Sequence, residues 1–158
     1  MTGIRVRTAE MSDLEKIARI ESESFSEPWS YEGFKDAFAL DTARIFAAFY
    51  NDREGKSEGS PAGYLVLYFT PGDGELMTVA VEKGYRGLGI GHALIKEMKR
   101  FARENGIVTI ALEVRESNAA AITLYKDEGF ITAGKRRDFY SFPREDAFVM
   151  TWRDELNA

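Results

Sequence analysis

Between residues 84 and 91 the chain reads Gly-Tyr-Arg-Gly-Leu-Gly-Ile-Gly, and an apolar stripe at helical spacing follows at once: Leu94, Ile95, Met98, Phe101 and Ala102. Glycines 84, 87, 89 and 91 free the backbone for positive φ and let another group come close to the main chain. Successive amide N–H groups that run into a helix N-terminus make an anion site suited to a pyrophosphate. About 20 residues beyond the loop an acid, Glu113, stands at the end of an apolar run, and Tyr125 lies in the next helical segment. Whatever chemistry the chain performs must come from carboxylates, Tyr, Lys, Ser/Thr, backbone amides or a borrowed cofactor. The chain has no cysteine and one histidine, His92. That excludes a thiolate nucleophile, Cys-ligated zinc, an iron–sulfur cluster and a disulfide framework. A multi-histidine metal site is excluded too, so no metal is expected, and a Ser–His–Asp triad could be built only through His92.

The loop by itself also allows a plain connector without a ligand. Among phosphate sites, a P-loop needs Gly-Lys-Ser/Thr at its end, whereas Gly89 is followed by Ile90-Gly91. A dinucleotide fingerprint would give Glu113 a ribose to bind, but the spacing here is G-x-G-x-G, and the stretch between Val81 and the loop is too long for the tight first turn. A third pattern fits, Arg86-x-x-Gly89-x-Gly91, the Q/R-x-x-G-x-G/A signature of the Gcn5-related N-acetyltransferase (GNAT) family. The run Leu112-Glu113-Val114-Arg115-Glu116-Ser117-Asn118-Ala119-Ala120-Ala121-Ile122, with Leu124-Tyr125 and Gly129-Phe130 after it, resembles the family's RimI branch, the N-terminal acetyltransferases of ribosomal proteins. Pro28-Trp29-Ser30, Arg136-Arg137-Asp138-Phe139-Tyr140 and Glu145-Asp146-Ala147 resemble further motifs of that branch. Phe139 stands where the branch has a tyrosine.

The resemblance implies direct transfer of an acetyl group from acetyl-CoA to a protein N-terminal α-amino group, with a ribosomal protein as a possible acceptor. It implies that Val79, Ala80 and Val81 hold the pantetheine arm. Arg86 and the amides of Gly87, Leu88, Gly89, Ile90, Gly91 and His92 would cradle the pyrophosphate, with Asn118 and Tyr125 also touching the coenzyme. Glu113 takes the role of general base, Tyr125 that of general acid, and Trp29, Glu113 and Tyr140 meet the acceptor. An α-amino group with a pKa of about 7.7–8.0 is within reach of a glutamate raised by burial, whereas a lysine amine at about 10.4 is harder to deprotonate. The residues alone also allow Glu113 as an ordinary strand-end acid, Tyr125 as a core aromatic, Val79 and Val81 as core packing and Asn118 as a helix cap. The same fold could serve a small-molecule amine or a lysine side chain, or bind coenzyme A without turnover.

The elements that must position these groups follow from periodicity. Residues 4–7 alternate as a strand, Ser12-Asp13-Leu14-Glu15 reads as a capping box, and Leu14, Ile17, Ala18 and Glu21 continue it as a helix. Pro28-Trp29-Ser30 breaks that helix and opens a second, with Phe34, Ala37 and Phe38 on its apolar side. Strands are expected at 45–50, 63–70, 75–81, 107–114, 130–140 and 146–152. Asn105-Gly106 and Gly129 should stop helices, Asn118 should cap one, and the polar stretch 51–61 should be a hairpin loop. The order β-α-α-β-β-β-α-β-α-β-β gives one α/β domain over 1–158, a mixed, mostly antiparallel sheet with two splayed parallel strands. The length of 158 residues suits one domain, and 44% hydrophobic residues suffice for a core. A net charge of −5 argues against nucleic acid as a partner. The absence of a leader or a long apolar run argues against a membrane and for a cytoplasmic protein.

Overall fold

The computed structural model describes residues 3–51 and 59–156, so most of the expected hairpin loop at 51–61 lies outside the described residues. The strands are β1 (Gly3–Thr8), β2 (Ala43–Asn51), β3 (Gly63–Thr70), β4 (Asp73–Val81), β5 (Thr109–Arg115), β6 (Ile131–Ser141) and β7 (Arg144–Arg153). The helices are α1 (Leu14–Ser24), α2 (Tyr31–Phe38), α3 (Ile90–Glu104) and α4 (Ala119–Asp127). All seven strands form one sheet in the order β1-β2-β3-β4-β5-β7-β6; β4 and β5 are parallel and the other neighbours antiparallel. This is the expected α/β architecture. Among the described residues, no helix is long and apolar enough to cross a membrane.

The sheet is covered on both faces, which is why β2 and β3 read as nearly continuous apolar runs instead of alternating. Ile45, Ala47 and Phe49 of β2 pack with Leu14, Ile17 and Ile20 of α1 and Phe34 of α2. Phe46 and Ala48, one residue out of phase, pack on the other face with Leu94, Ile95 and Met98 of α3. The local signals act as their chemistry dictates. The Ser30 hydroxyl accepts from the Gly33 amide at 3.1 Å and caps α2, and Asn118 accepts from the Ala121 amide at 3.2 Å and caps α4. Gly106 and Gly129 take φ of 70° and 94° where α3 and α4 end.

Several strands begin about two residues from the expected positions, and two differences have a visible cause. The box at the start of α1 is built two residues earlier: Asp13 accepts from the Glu10 amide at 2.8 Å and from Arg7 at 2.7 Å, across a short 3-10 turn at Met11–Asp13. Arg7 on β1 thus competes successfully for the acid that a purely local reading assigns to the following helix. β5 begins at Thr109 and not at Ile107, because the Ile107 amide is used at the end of α3, where it donates to Ala102 O at 2.9 Å.

A buried acid ties α4 to α3. Glu128, 4% exposed, accepts from Lys96 Nζ at 2.7 Å and Lys99 Nζ at 2.8 Å, and is 2.8 Å from His92 Nδ1. Burial pushes its carboxyl up, but the bonds from Lys96, Lys99 and His92 outweigh this and hold it at about 2. Its folded pKa lies below the ordinary 4.5, so the stabilisation is complete above that value and disappears as pH falls from there toward 2. At about 1.4 kcal/mol per pKa unit the ionised group contributes about 3 kcal/mol. Glu128→Gln is therefore expected to lower unfolding free energy by about that amount at neutral pH, and by progressively less as the pH drops through the acid range. Denaturant titrations at several pH values check this; a gap that does not narrow with acid would mean the charge of Glu128 is not its source.

Candidate active site

β4 and β5 are hydrogen-bonded neighbours only at Asp73–Thr109, Gly74–Ile110 and Glu75–Ala111. Beyond that point they part. The opposite edge of β4 shows a cause: against β3 the register jumps, with Leu67 facing Leu76 and Val66 facing Thr78, so Met77 is an extra residue. A bulge of this kind bends and twists its strand, here just where β4 leaves β5. The gap opens into two cavities that share Ser24, Val79, Asn118 and Tyr125, one of about 430 Å³ and one of about 500 Å³.

The larger of these cavities runs under the glycine loop. Gly87 and Gly89 have φ of 80° and 92°, and Gly89 caps α3. A side chain on Gly87 would meet nothing within 4 Å, so its glycine is explained by conformation and by open approach from outside. At Gly91 space itself matters, since a Cβ there would lie 3.0 Å from Leu124 Cδ2. Val79, Ala80, Val81, Arg86, Gly87, Gly89, Ile90, Gly91, His92, Asn118 and Tyr125 all line this cavity. Leu88 does not, and its side chain points to solvent at 45% exposure. Arg86 Nε donates to the Val81 carbonyl at 2.9 Å, which fastens the loop back onto β4. A stretch of free strand edge leading to a helix N-terminus is the donor set that an amide-bearing arm with a pyrophosphate requires, so the cavity fits coenzyme A.

Glu113 and Tyr125 meet in the smaller cavity. Glu113 lies two residues past the last β4–β5 pair, is 21% exposed at its side chain, and has Arg136 Nε 3.4 Å away. Burial raises its carboxyl above the ordinary glutamate value, Glu75 adds to this, and Arg136 opposes it. The Tyr125 hydroxyl, in a residue only 7% exposed, has no hydrogen-bond partner among the described residues, and burial holds its proton far above the ordinary phenol range. Tyr140 lines the same cavity, with its hydroxyl raised to about 12, mainly by burial and against the nearby Arg115. A register jump in β6 aims it: Arg136 faces Ala147 and Tyr140 faces Glu145, so three residues of β6 oppose Asp146 alone, with Asp138 at φ 51°. Phe139 is 45% exposed beside it.

Of the expected site residues, Leu88 and Trp29 line neither cavity. His92 lines the glycine-loop cavity and not the one holding Glu113. Trp29 lines neither; its ring packs 5.3 Å from that of Phe34 and 6.0 Å from that of Tyr68. Its amide donates to Glu21 Oε2 at 2.9 Å, and Glu21, 2% exposed, also accepts from the Tyr64 hydroxyl and from Thr78 Oγ1 at 2.6 Å. Trp29 thus belongs to the internal brace of the segment between α1 and α2. The periodicity of α1 places Glu21 on its buried face, but no sequence signal pairs it with Thr78. Ser26, Glu27 and Arg115 line the Glu113 cavity without having been singled out; Arg115 sits inside the motif around Glu113, and Glu27 directly before Pro28-Trp29-Ser30.

The parted strands, the glycine loop at a helix N-terminus and the half-buried Glu113 beside the buried Tyr125 suit acetyl transfer from acetyl-CoA to an amine, and the class of protein is an acetyl-CoA-dependent N-acetyltransferase. The sequence model of the Acetyltransferase (GNAT) family matches residues 14–130, and the chain belongs to that family. It is 32% identical over 147 residues to the [ribosomal protein bS18]-alanine N-acetyltransferase of Escherichia coli, covering 92% of this chain and 94% of that one. It is 34% identical over 146 residues to the N-alpha-acetyltransferase RimI of Mycobacterium tuberculosis, covering 88% and 85%. The crystal structure of the ribosomal-protein-S18-alanine N-acetyltransferase from Escherichia coli superposes with a TM-score of 0.81 at 30% identity, over 96% of this chain and 94% of that one.

Because Gly89 holds a φ of 92° with only an ordinary 3.7 Å approach to Ile4 Cδ1 for an added Cβ, its substitution acts through backbone conformation. Gly89→Ala is expected to cost about 1–2 kcal/mol of stability and to weaken coenzyme A binding severalfold by turning the loop amides. Titration calorimetry with coenzyme A checks this; undiminished affinity would remove the loop amides from the binding site.

Proposed function

We propose that the protein acetylates the α-amino group of a protein N-terminus, with a ribosomal protein as the acceptor class and the cytoplasm as the compartment. The observation that carries the reading is the pairing, in one cavity, of a carboxylate and a hydroxyl that burial pushes in the same direction. A raised Glu113 is a better base, and a raised Tyr125 stays protonated, so its hydroxyl is available as a donor to the leaving sulfur. The similarity to N-terminal acetyltransferases of ribosomal proteins, over most of both chains, supports the acceptor class.

In the proposed reaction the neutral amine attacks the thioester carbon of acetyl-CoA. As the new C–N bond forms, Glu113 accepts the proton that the nitrogen loses, directly or through a water. As the C–S bond breaks, Tyr125 hydrogen-bonds to the leaving sulfur and protonates it. The products are the acetylated N-terminus and the free thiol; Glu113 returns its proton to solvent and Tyr125 takes one back, so both groups are reset. Val79, Ala80 and Val81 hold the pantetheine arm, while Arg86 and the amides of Gly87 to His92 hold the pyrophosphate, with Asn118 beside it. Glu113 and Tyr140 flank the acceptor. Arg136 serves to keep Glu113 ionised while still accessible.

Glu113→Gln is expected to lower kcat by about 10²-fold while the dissociation constant for acetyl-CoA stays within about twofold. The sign of the pH effect follows from Glu113 acting ionised. Activity falls as pH drops through its pKa, which lies above the ordinary glutamate value, and the variant lacks that limb. Thiol release with short N-terminal peptides, polyamines and aminoglycosides, measured across pH, tests the whole reading. An unchanged profile in the variant removes Glu113 as base. A preference for small amines moves the enzyme to another acceptor class, and no thiol release with any amine leaves a coenzyme-binding protein.

A further inference from the structure

The turn between β6 and β7, at Phe142-Pro143, is fastened to the segment between α1 and α2. Glu27 Oε1 accepts from the Ser141 amide at 3.2 Å and from the Phe142 amide at 3.0 Å. The Ser26 hydroxyl donates to the Phe142 carbonyl. Arg115, the last residue of β5, completes the junction. Its Nη2 donates to the Phe142 carbonyl at 3.0 Å and to Ser26 Oγ at 3.3 Å, and its Nη1 donates to the Pro143 carbonyl at 2.9 Å and to Glu145 Oε1 at 3.2 Å. The guanidinium carbon also lies 4.2 Å from the centroid of the Tyr140 ring. Glu145 in turn accepts from the Ser117 amide at 2.6 Å, just before the Asn118 cap of α4.

A planar guanidinium fork can serve several acceptors in fixed directions and stack on an aromatic ring at the same time; an ammonium cannot. One side chain therefore sets the relative positions of three segments that are far apart in sequence. Ser26, Glu27, Arg115 and Tyr140 also line the cavity that holds Glu113, so the junction forms that cavity's wall. None of Ser26, Glu27 and Arg115 lines the glycine-loop cavity. The junction thus lines the acceptor half directly and meets the coenzyme half only through shared neighbours such as Ser24 and Asn118.

We infer that Arg115, with Glu27, is a positioning residue for the acceptor: by joining the β6–β7 turn to the α1–α2 segment it fixes the entrance through which the amine reaches Glu113. This rests on the reading that the acceptor enters that cavity. An entrance ordered beforehand spares the incoming chain the cost of ordering it on binding, so loosening it weakens acceptor binding and leaves the coenzyme half untouched. A role in folding alone would move both substrates together.

The test uses the full chain and four variants: Arg115→Ala, Arg115→Lys, Glu27→Ala and Glu27→Gln. Two readouts apply, the amide hydrogen exchange of Ser141 and Phe142, and the KM values for acetyl-CoA and for a short peptide with a free N-terminus. Both alanine variants are expected to speed exchange at the two amides and to raise peptide KM about tenfold, equivalent to about 1.4 kcal/mol, with acetyl-CoA KM within about twofold and kcat less affected. Glu27→Gln, which keeps an acceptor oxygen, should approach the wild type, and Arg115→Lys should fall between. Unchanged exchange, faster exchange with unchanged acceptor KM, or a parallel rise in acetyl-CoA KM each overturns the inference. A wild-type enzyme that ignores peptide N-termini refutes the proposed function instead, and the junction is then judged with the amine it does acetylate; a chain that acetylates no amine refutes both.

Discussion

β4 and β5 are parallel neighbours that stop pairing after three residue pairs, and the rest of the molecule is arranged around that separation. Two strand edges with open backbone groups are costly in a protein interior unless something completes them. Here the open edge of β4 lies along a cavity that continues to the N-terminus of α3, so the unmet hydrogen-bonding capacity becomes a binding surface. The Met77 bulge is what permits this without sacrificing the sheet. On its other side β4 stays paired with β3 as far as Val81, and β5 stays paired with β7 as far as Arg115, so both walls of the gap are rigid.

Burial near the gap acts on the two reactive groups in a way that one dielectric environment explains. Removing water disfavours the charged form of either group, so the carboxyl of Glu113 becomes more basic and the phenol of Tyr125 less acidic. The same burial thus makes Glu113 the better base and keeps Tyr125 protonated as a hydrogen-bond donor. Arg136 trims the effect on Glu113 alone, because only Glu113 sits near the outer wall where β6 passes. The segment between α1 and α2 meets the gap from the other side, braced from within by Glu21 and from without by Arg115.

Features that depend on a residue's own backbone or on its near neighbours were legible in the chain. Gly87 and Gly89 had to be glycine because of their positive φ, Gly106 and Gly129 end helices for the same reason, and Ser30 and Asn118 use their own side chains to cap the backbone amide three residues on. The alternating and helical periods gave the element order. The loop, Glu113 and Tyr125 therefore emerge together with the fold. What depended on register between distant strands was hidden. Nothing in the sequence around Met77 marks a bulge, because the extra residue is defined only against Val66 and Leu67. Asp13 closes a local box with Glu10, but its second partner, Arg7, is brought to it only by the pairing of β1. The motif around Trp29 gives no sign that its ring packs against Phe34 and Tyr68. Arg115 belongs with these, since its partners come together only when the β6–β7 turn folds over.

The irregularity in β6 that turns Tyr140 inward also has a colloidal consequence. β6 is the last strand of the sheet and is exposed along nearly its whole length, so a straight version would offer its free edge to any other extended chain. Three residues set against one, with Asp138 forced to positive φ, break the regular spacing of donors and acceptors that such pairing needs. The distortion that shapes the reaction cavity thereby also keeps the sheet from growing into its neighbours.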